Sequence, residues 1–252
     1  MLSIDLSNHR ALVTGSTGEL GRVISETLAR AGADLILHYH SKPDVAGSLK
    51  KTVEAHGVRA VTVGADITSK ESVVRMAKTA ESTLGMPDIL VNNAVIQFQW
   101  TTVLEQDLED YEGQFRSCVL QNVIMAQTFV PAMKEAGWGR IVAMNTECSM
   151  QYWKNQSAYI SGKRGMDGVI RVLAREIGEH NITVNQVAPG FTISENVPDR
   201  DEFAWYKENV PLKRRGTAQE IANVVAFLAS DLASFITGAY IPVSGGNVMP
   251  AI

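Results

Sequence analysis

The sequence predicts an α/β fold, a single doubly wound domain of about seven parallel strands with helices on both faces. Short apolar runs alternate with segments of helical hydrophobic period along the chain. A glycine-rich turn at 14–21 joins the first run to the first helix, and no linker, repeat or low-complexity stretch interrupts the 252 residues. Alternating strands and helices build parallel sheets through right-handed crossovers. We therefore expect one domain over 1–252, with ligands bound at the carboxyl ends of the strands.

The first half of the chain supplies four predicted strands and three predicted helices. Apolar residues such as Leu20, Ile24 and Leu28 recur at helical spacing, and glycines follow the ends of successive helices. The predicted strands lie at 11–14, 35–37, 58–63 and 89–91, and the predicted helices at 20–31, 45–55 and 70–84.

The second half continues the alternation and contains one irregular stretch. The pattern predicts one long helix at 108–135, a strand at 141–144, a helix at 157–179, a strand at 182–187, a helix at 218–229 and a last strand near 240–243. Residues 191–216 show no regular period. The length and composition of this segment are typical of a lid that closes over a bound ligand.

Composition excludes several functional classes. The chain is 45% hydrophobic with a net charge of −4 and a pI of about 5.8, so no basic footprint for nucleic acid is expected. No run of 18 apolar residues predicts a membrane span, and the N-terminus does not read as a signal peptide, so we expect a cytoplasmic protein without membrane contact. Cys118 and Cys148 form no disulfide framework, and no metal-ligand spacing is present.

Tyr159 and Lys163 lie one helical turn apart within the predicted helix 157–179. A phenol has an ordinary pKa of about 10, and a nearby ammonium lowers that pKa by roughly 1–3 units. A tyrosine tuned in this way can exchange a proton with an alcohol oxygen while a hydride moves at the adjacent carbon. The spacing alone also fits an exposed surface pair, so the interpretation depends on the surrounding sequence.

The first turn reads TGSTGELG over residues 14–21. Glycines there allow backbone N–H groups to approach a pyrophosphate at the positive end of a helix dipole. The turn follows a strand and opens a helix, which is the context of a dinucleotide site. A generic strand–helix turn is the alternative.

Further motifs occur in an order and spacing that resemble the short-chain dehydrogenase/reductase family in its roughly 250-residue form, with a Rossmann-type fold. The chain is similar to the 3-oxoacyl-acyl-carrier-protein reductase-like members, and the resemblance extends from about Leu6 to Gly246. It implies an NAD(P)-dependent oxidoreductase that transfers a hydride between nicotinamide and a small-molecule carbonyl/alcohol substrate. The motifs are TGSTGELG (14–21), Asp66-Ile67, Asn92-Asn93-Ala94, Tyr159-x-x-x-Lys163, Asn185, Pro189-Gly190, Gly238 and PVSGG (242–246).

The resemblance assigns roles to matching residues. Tyr159 would be the general acid/base, Lys163 would lower its pKa and bond the nicotinamide ribose, and Thr146 would stand in for the usual serine that orients the substrate. In isolation, Asp66 could be only a helix-capping neighbour and Pro189-Gly190 only a turn. The implied cofactor-binding residues are Gly15, Ser16, Thr17, Gly18, Leu20, Gly21, His40, Ser41, Asp66, Ile67, Asn92, Ala94, Tyr159, Lys163, Pro189, Gly190 and Thr192.

Several positions depart from the family pattern. Glu19 replaces the middle glycine of the turn, and a carboxylate 4 Å from a phosphate costs about 1 kcal/mol in water-like surroundings and about 4 at an effective dielectric constant of 20. We expect Gly18 to let the turn re-form with Glu19 pointing to solvent. Cys118 stands where an asparagine usually anchors a proton relay, with Asn122 as a candidate substitute, and Val95 replaces a glycine. These departures leave two alternatives open, a dinucleotide-binding protein with little or no turnover and a dehydratase or isomerase on the same scaffold.

The residues after the second strand indicate which cofactor is preferred. NAD-preferring members usually carry an acid there, and this chain has Tyr39. His40, Ser41 and Lys42 supply donors and positive charge for a 2′-phosphate. NADP(H) is therefore favoured over NAD(H), although the segment could be simply a polar loop.

By the same resemblance, residues 97–100, 147–154 and 191–212 surround the substrate. Their aromatic content suits a hydrophobic or ring-bearing carbonyl compound, although several of these rings could serve packing or subunit contact, and Glu147 and Gln151 leave a polyol or sugar possible. The resemblance also implies a homo-oligomer, a tetramer or dimer, formed through helices 108–135 and 157–179. The aromatic residues are Phe98, Trp100, Tyr152, Trp153, Phe203, Trp205 and Tyr206.

Overall fold

The computed structural model describes residues 3–250. The strands are β1 (Arg10–Val13), β2 (Asp34–Tyr39), β3 (Ala60–Gly64), β4 (Ile89–Asn92), β5 (Gly139–Met144), β6 (Ile182–Pro189), β7 (Thr192–Ile193), β8 (Gly216–Thr217) and β9 (Tyr240–Val243). The α-helices are α1 (Glu19–Arg30), α2 (Pro43–Glu54), α3 (Lys70–Thr83), α4 (Leu108–Gln114), α5 (Gln121–Ala136), α6 (Cys148–Gln151), α7 (Ser157–Ile177), α8 (Ala204–Asn209) and α9 (Ala218–Leu228).

Seven of the strands form one parallel sheet in the order β3-β2-β1-β4-β5-β6-β9, which confirms the predicted doubly wound α/β class. The direction of winding reverses between β1 and β4, and ligands of such folds bind beside this switch point. The short strands β7 and β8 pair separately. No helix within residues 3–250 is long and apolar enough to cross a membrane.

Both faces of the sheet are covered, which explains why the strands read as continuous apolar runs. Alternate side chains enter two cores. Val13 and Leu35 pack with residues of α1 and α9 on one face, whereas Leu12 and Ile36 pack with α3, α5 and α7 on the other. Burial on both faces fixes the register of each strand, because a one-residue shift would exchange the two cores.

The predicted long helix at 108–135 is interrupted. A π-helical turn at Phe115–Leu120 separates α4 from α5. Asn122 Nδ2 donates to the Cys118 carbonyl at 2.7 Å and so satisfies an acceptor within this turn. Segment 191–216, predicted as irregular, contains β7, α8 and the start of β8, and the short helix α6 was also not predicted.

Candidate active site

A cavity of about 860 Å³ opens at the carboxyl ends of the strands beside the switch point. The glycine turn, the residues after β2 and β3, and Tyr159 and Lys163 of α7 meet there, as the motifs predict. The predicted residues that line it are Gly15, Thr17, Gly18, Leu20, Gly21, His40, Ser41, Asp66, Ile67, Ala94, Thr146, Tyr159, Lys163, Pro189 and Gly190. Asn93, Val95 and Asn145 also line it, although no site role was predicted for them.

Three predicted cofactor residues lie elsewhere. Ser16 is buried behind the turn, where its hydroxyl donates to the His38 carbonyl at 3.0 Å. The Asn92 amide faces the helices and donates to Asn122 Oδ1 at 2.7 Å. Thr192 lines a second, neighbouring cavity.

The glycine turn has a conformation that depends on close backbone packing. Gly15 adopts a left-handed φ of 63°, and a Cβ added to Gly21 would lie 2.2 Å from the Gly15 carbonyl oxygen. Asn93 ties this turn to β4, because its Nδ2 donates to the Thr14 carbonyl at 3.0 Å. The backbone N–H groups of Asn93 and Ala94 both donate to Thr14 Oγ1. The result is an open cradle at the N-terminus of α1, suited to a pyrophosphate.

Tyr159, Thr146 and Lys163 lie together at the deep end of the cavity. The Tyr159 ring stacks on Trp100 with centroids 5.7 Å apart. Lys163 is buried, and its Nζ donates to the Met144 carbonyl at 2.5 Å. The side chains of α7 therefore place a phenol and an ammonium one turn apart on the same wall.

Burial, and not Lys163, has the largest effect on the pKa of Tyr159 in this structure. Burial raises the pKa of Tyr159 above its usual range, and the hydrogen bond with Thr146 opposes that rise only in part. Lys163 Nζ lies 5.8 Å from the centroid of the phenol ring, and burial lowers the pKa of Lys163 itself. The Lys163 ammonium donates to the Met144 carbonyl rather than to the phenol.

A second cavity of about 430 Å³ adjoins the first, and Thr146, Tyr159 and Gly190 line both. Three of the four tryptophans of the chain border it, and the rings of Trp153 and Trp205 meet edge to face at 5.6 Å. The predicted rings that line it are Trp100, Trp153, Trp205 and Tyr206, whereas Phe98, Tyr152 and Phe203 do not.

Glu147 lies in the wall of this second cavity with both carboxylate oxygens occupied. Oε1 accepts from the Phe191 N–H at 3.1 Å and the Tyr206 hydroxyl at 2.9 Å, and Oε2 accepts from Asn247 Nδ2 at 3.0 Å. Burial raises the pKa of Glu147, and these hydrogen bonds oppose the rise. The carboxylate therefore joins β5 to α8 and to the C-terminal segment.

Comparisons with known proteins agree with this geometry. A family model described as enoyl-(acyl carrier protein) reductase matches residues 16–247. The 3-oxoacyl-(acyl-carrier-protein) reductase of Pseudomonas aeruginosa is 34% identical over 249 residues, which cover 98% of this chain and 100% of that protein. The chain belongs to the short-chain dehydrogenase/reductase family.

Solved structures of relatives are similar in fold. A blue fluorescent protein from a metagenomic library in complex with NADPH has a TM-score of 0.90 at 32% identity, covering 97% of this chain and 100% of that one. A 7α-hydroxysteroid dehydrogenase complexed with NADH and 7-oxo glycochenodeoxycholic acid has a TM-score of 0.91 at 29% identity, covering 98% and 97%.

Family membership gives the reaction class. The chain is an NAD(P)-dependent oxidoreductase that transfers a hydride between a nicotinamide and a carbonyl/alcohol pair. The two alternative hypotheses, a dinucleotide-binding protein with little or no turnover and a dehydratase or isomerase, are not favoured.

The structure accounts for two departures from the family pattern. The Glu19 carboxylate lies at the surface, and its Oε1 also accepts from the Asn196 backbone N–H at 2.9 Å. Asn122 is not brought to the cavity as a substitute for the residue at Cys118, because its amide bonds Asn92 and the Cys118 carbonyl.

Asp66 is partly explained by local structure. Its Oδ1 accepts from the Thr68 N–H at 2.9 Å and the Thr68 hydroxyl at 2.7 Å. Ser69 caps α3 by accepting from the Ser72 N–H. Asp66 therefore shapes the turn before α3 while also lining the cavity.

Arg215 is a structural residue of the site that the sequence did not reveal. Its guanidinium is fully buried and donates to the carbonyls of segment 191–198, with its carbon 4.0 Å from the centroid of the Phe191 ring. A buried charge requires such a complete set of acceptors. The four accepting carbonyls belong to Phe191, Thr192, Val197 and Pro198.

Proposed function

We propose that this enzyme is an NADP(H)-preferring reductase of ring-bearing carbonyl compounds, with Tyr159 as its general acid/base. The supporting observation is the position of Tyr159 on the wall that the two cavities share. One cavity has the glycine turn, and the other has the aromatic rings. A phenol on that wall can reach a carbonyl oxygen in the second cavity while the carbonyl carbon faces the first.

The side chains on this wall divide the work of proton transfer. A bound nicotinamide dinucleotide supplies or accepts the hydride. The Tyr159 phenol, whose ordinary pKa of about 10 keeps it protonated at neutral pH, can donate a proton to the carbonyl oxygen and recover it in the reverse direction. Thr146 orients that oxygen, and its Oγ1 is held by the Cys148 N–H at 3.2 Å.

Lys163 would act on both the cofactor and Tyr159. The single hydrogen bond to Met144 fixes the ammonium, and its remaining N–H groups would hold the nicotinamide ribose. Its positive charge would stabilise the phenolate that forms when Tyr159 releases its proton. Gly15 and Gly21 would cradle the pyrophosphate, and Asp66 and Ile67 would flank the adenine.

The NADP(H) preference rests on the residues after β2. His40, Ser41 and Lys42 all line the cofactor cavity, and none of them is acidic. Together they can neutralise and bond a 2′-phosphate. Lys42→Ala should weaken NADPH binding about tenfold and leave NADH binding nearly unchanged, since tenfold corresponds to one lost charge-assisted contact.

The substrate class rests on the second cavity. Its three tryptophans offer flat apolar surfaces, and the two polar groups that could have favoured a polyol are engaged. Glu147 has three donors, and Gln151 Oε1 accepts from Trp153 Nε1 at 2.6 Å. A ring therefore fits this cavity better than a chain of hydroxyls.

The experiment that tests the reaction is absorbance decay of NADPH with a panel of aryl and aliphatic ketones. Tyr159→Phe should retain NADPH binding by fluorescence titration and lose most of the turnover, on the order of 100-fold or more for loss of a general acid. Tyr111→Phe is the matched control because Tyr111 lines neither cavity. Full turnover by Tyr159→Phe would exclude the assigned role.

We also propose that the chain acts in the cytoplasm as one dinucleotide-binding and catalytic domain with a lid at 191–216, and that it assembles as a homotetramer or homodimer. Leu108 on α4, Phe115 in the π-helical turn and Val172 on α7 are exposed apolar residues on the elements predicted to join subunits. Light scattering on the purified protein gives the assembly size directly.

A further inference from the structure

The residue that most clearly departs from the glycine turn makes a long-range contact. Glu19 is the first residue of α1, and its Oε1 accepts from the backbone N–H of Asn196 at 2.9 Å and from the Asn196 side-chain amide. The pKa of Glu19 is lowered, chiefly by the nearby Ser194 hydroxyl, with the Asn196 donors and Arg22 also contributing. Glu19 is therefore ionised at neutral pH and compensated by donors from one short segment.

A second contact reinforces the first. Arg22, one turn further along α1, pairs its Nη2 with Glu195 Oε2 at 2.6 Å. An exposed ion pair adds little alone, but here it joins the same helix to the residue between Ser194 and Asn196. Residues 194–196 are thus held to the N-terminal turns of α1 by the side chains of Glu195 and Asn196 and by the Asn196 backbone N–H.

The held segment lies next to the cofactor cavity through its contact with Glu19. Glu19 lines the cofactor cavity next to Gly18 and the rest of the glycine turn. The base of the segment is fixed independently, because buried Arg215 donates to the carbonyls of Phe191 and Pro198 on either side of residues 194–196. Residues 194–196, between these two anchored carbonyls, contact α1 through Glu19 and Arg22.

We propose that Glu19 and Asn196 form a latch that holds segment 191–198 over the pyrophosphate end of the cofactor cavity and slows release of the dinucleotide. A glycine at position 19 has no side chain with which to make this contact. An unpaired carboxylate there would repel the phosphates of the dinucleotide. The Asn196 donors compensate that charge, and the resulting contact holds the segment over the bound dinucleotide. The inference depends on dinucleotide binding and not on the identity of the carbonyl substrate.

The test is stopped-flow measurement of NADPH release, chased with excess NADP⁺, which requires no substrate. Glu19→Gly should release NADPH roughly three- to tenfold faster than wild type, the size expected for loss of a partly exposed charge-assisted contact. Asn196→Ala should also speed release, and Asn196→Ala should have no further effect when Glu19 is already glycine. Glu26→Gln, on the exposed part of α1, is the control for changing a carboxylate on this helix.

Two results would overturn the latch. If Glu19→Gly or Glu19→Gln slows release, Glu19 acts only through repulsion of the phosphates. If Glu19→Gly releases NADPH at the wild-type rate, the contact does not retain the cofactor. Circular dichroism and thermal unfolding of each variant show that it is folded, so an increase in release rate reports the latch rather than loss of structure.

Discussion

Helix propensity and steric packing predict opposite effects of Gly21→Ala on the stability of the protein, so this variant separates the two. Gly21 lies inside α1 without a positive φ. On propensity alone, alanine in a helix interior is favoured over glycine by about 1 kcal/mol. The folded structure opposes this gain, because the new methyl group would meet backbone atoms of the glycine turn.

The expected clash is severe. The added Cβ would lie 2.2 Å from the Gly15 carbonyl oxygen and 2.9 Å from the Ser16 Cα. Both atoms are backbone, so the turn must move by roughly 1 Å to restore an ordinary contact, and overpacking of this kind costs about 1–3 kcal/mol. We therefore expect Gly21→Ala to lower the free energy of unfolding by up to about 2 kcal/mol net, after the propensity gain of about 1 kcal/mol is subtracted.

Gly47→Ala is the matched control. Gly47 lies inside α2, and a Cβ there would meet no atom within 4 Å. This variant should gain about 0.5–1 kcal/mol. Urea unfolding followed by tryptophan fluorescence gives both changes.

Cofactor binding supplies the second measurement. Movement of the turn displaces the N–H groups that face the pyrophosphate, so Gly21→Ala should weaken NADPH binding at least about tenfold, whereas Gly47→Ala should not change it. A Gly21→Ala protein as stable as Gly47→Ala and with wild-type affinity would refute the steric argument for this turn.

Two further predictions concern segment 191–216 and the start of α9. Arg215→Lys keeps the positive charge, but a lysine cannot donate to four carbonyls at once. Amide hydrogen exchange in residues 191–198 should therefore accelerate at least about tenfold, while the central strands keep their protection. Unchanged exchange would contradict the role given to the Arg215 guanidinium. Glu220→Ala removes the capping box with Thr217 and the pair with Arg214, which lower the pKa of Glu220 to about 2, so it should cost about 1 kcal/mol at pH 7. Because the pKa is lower in the folded state, that contribution is complete above the ordinary value of 4.5 and disappears as pH falls towards 2; a constant difference in urea midpoints across this range would show that ionisation is not involved.

The alternation of strands and helices was enough to predict the sheet, because burial on both faces leaves a strong apolar signature in every strand. The same motifs predicted that Tyr159, Lys163 and Thr146 meet, since each stands at the end of a strand or the start of a helix at one edge of the sheet. These features follow from local pattern and from topology.

Other features depend on contacts that no local pattern encodes. The π-helical turn before Gln121 leaves the helical hydrophobic period almost unchanged, so the sequence predicted an uninterrupted helix. Arg215 was missed because arginine is ordinarily exposed, and its four carbonyl acceptors are gathered by an irregular segment. The direction of the Tyr159 pKa shift could not be derived from its spacing to Lys163, because spacing does not show how far burial removes the phenol from water.

Segment 191–216 lines the aromatic cavity and also bonds Glu19, a residue that lines the cofactor cavity. Its tip reaches α1 through Asn196 beside the cofactor cavity. Phe191 and Tyr206 line the aromatic cavity and both donate to Glu147. A change that loosens the tip can therefore spread to the wall of the aromatic cavity, unless Arg215 isolates the two ends. If Arg215 does isolate them, Glu19→Gly alters the rate of cofactor release and leaves the KM for the carbonyl substrate unchanged, whereas Arg215→Lys alters both.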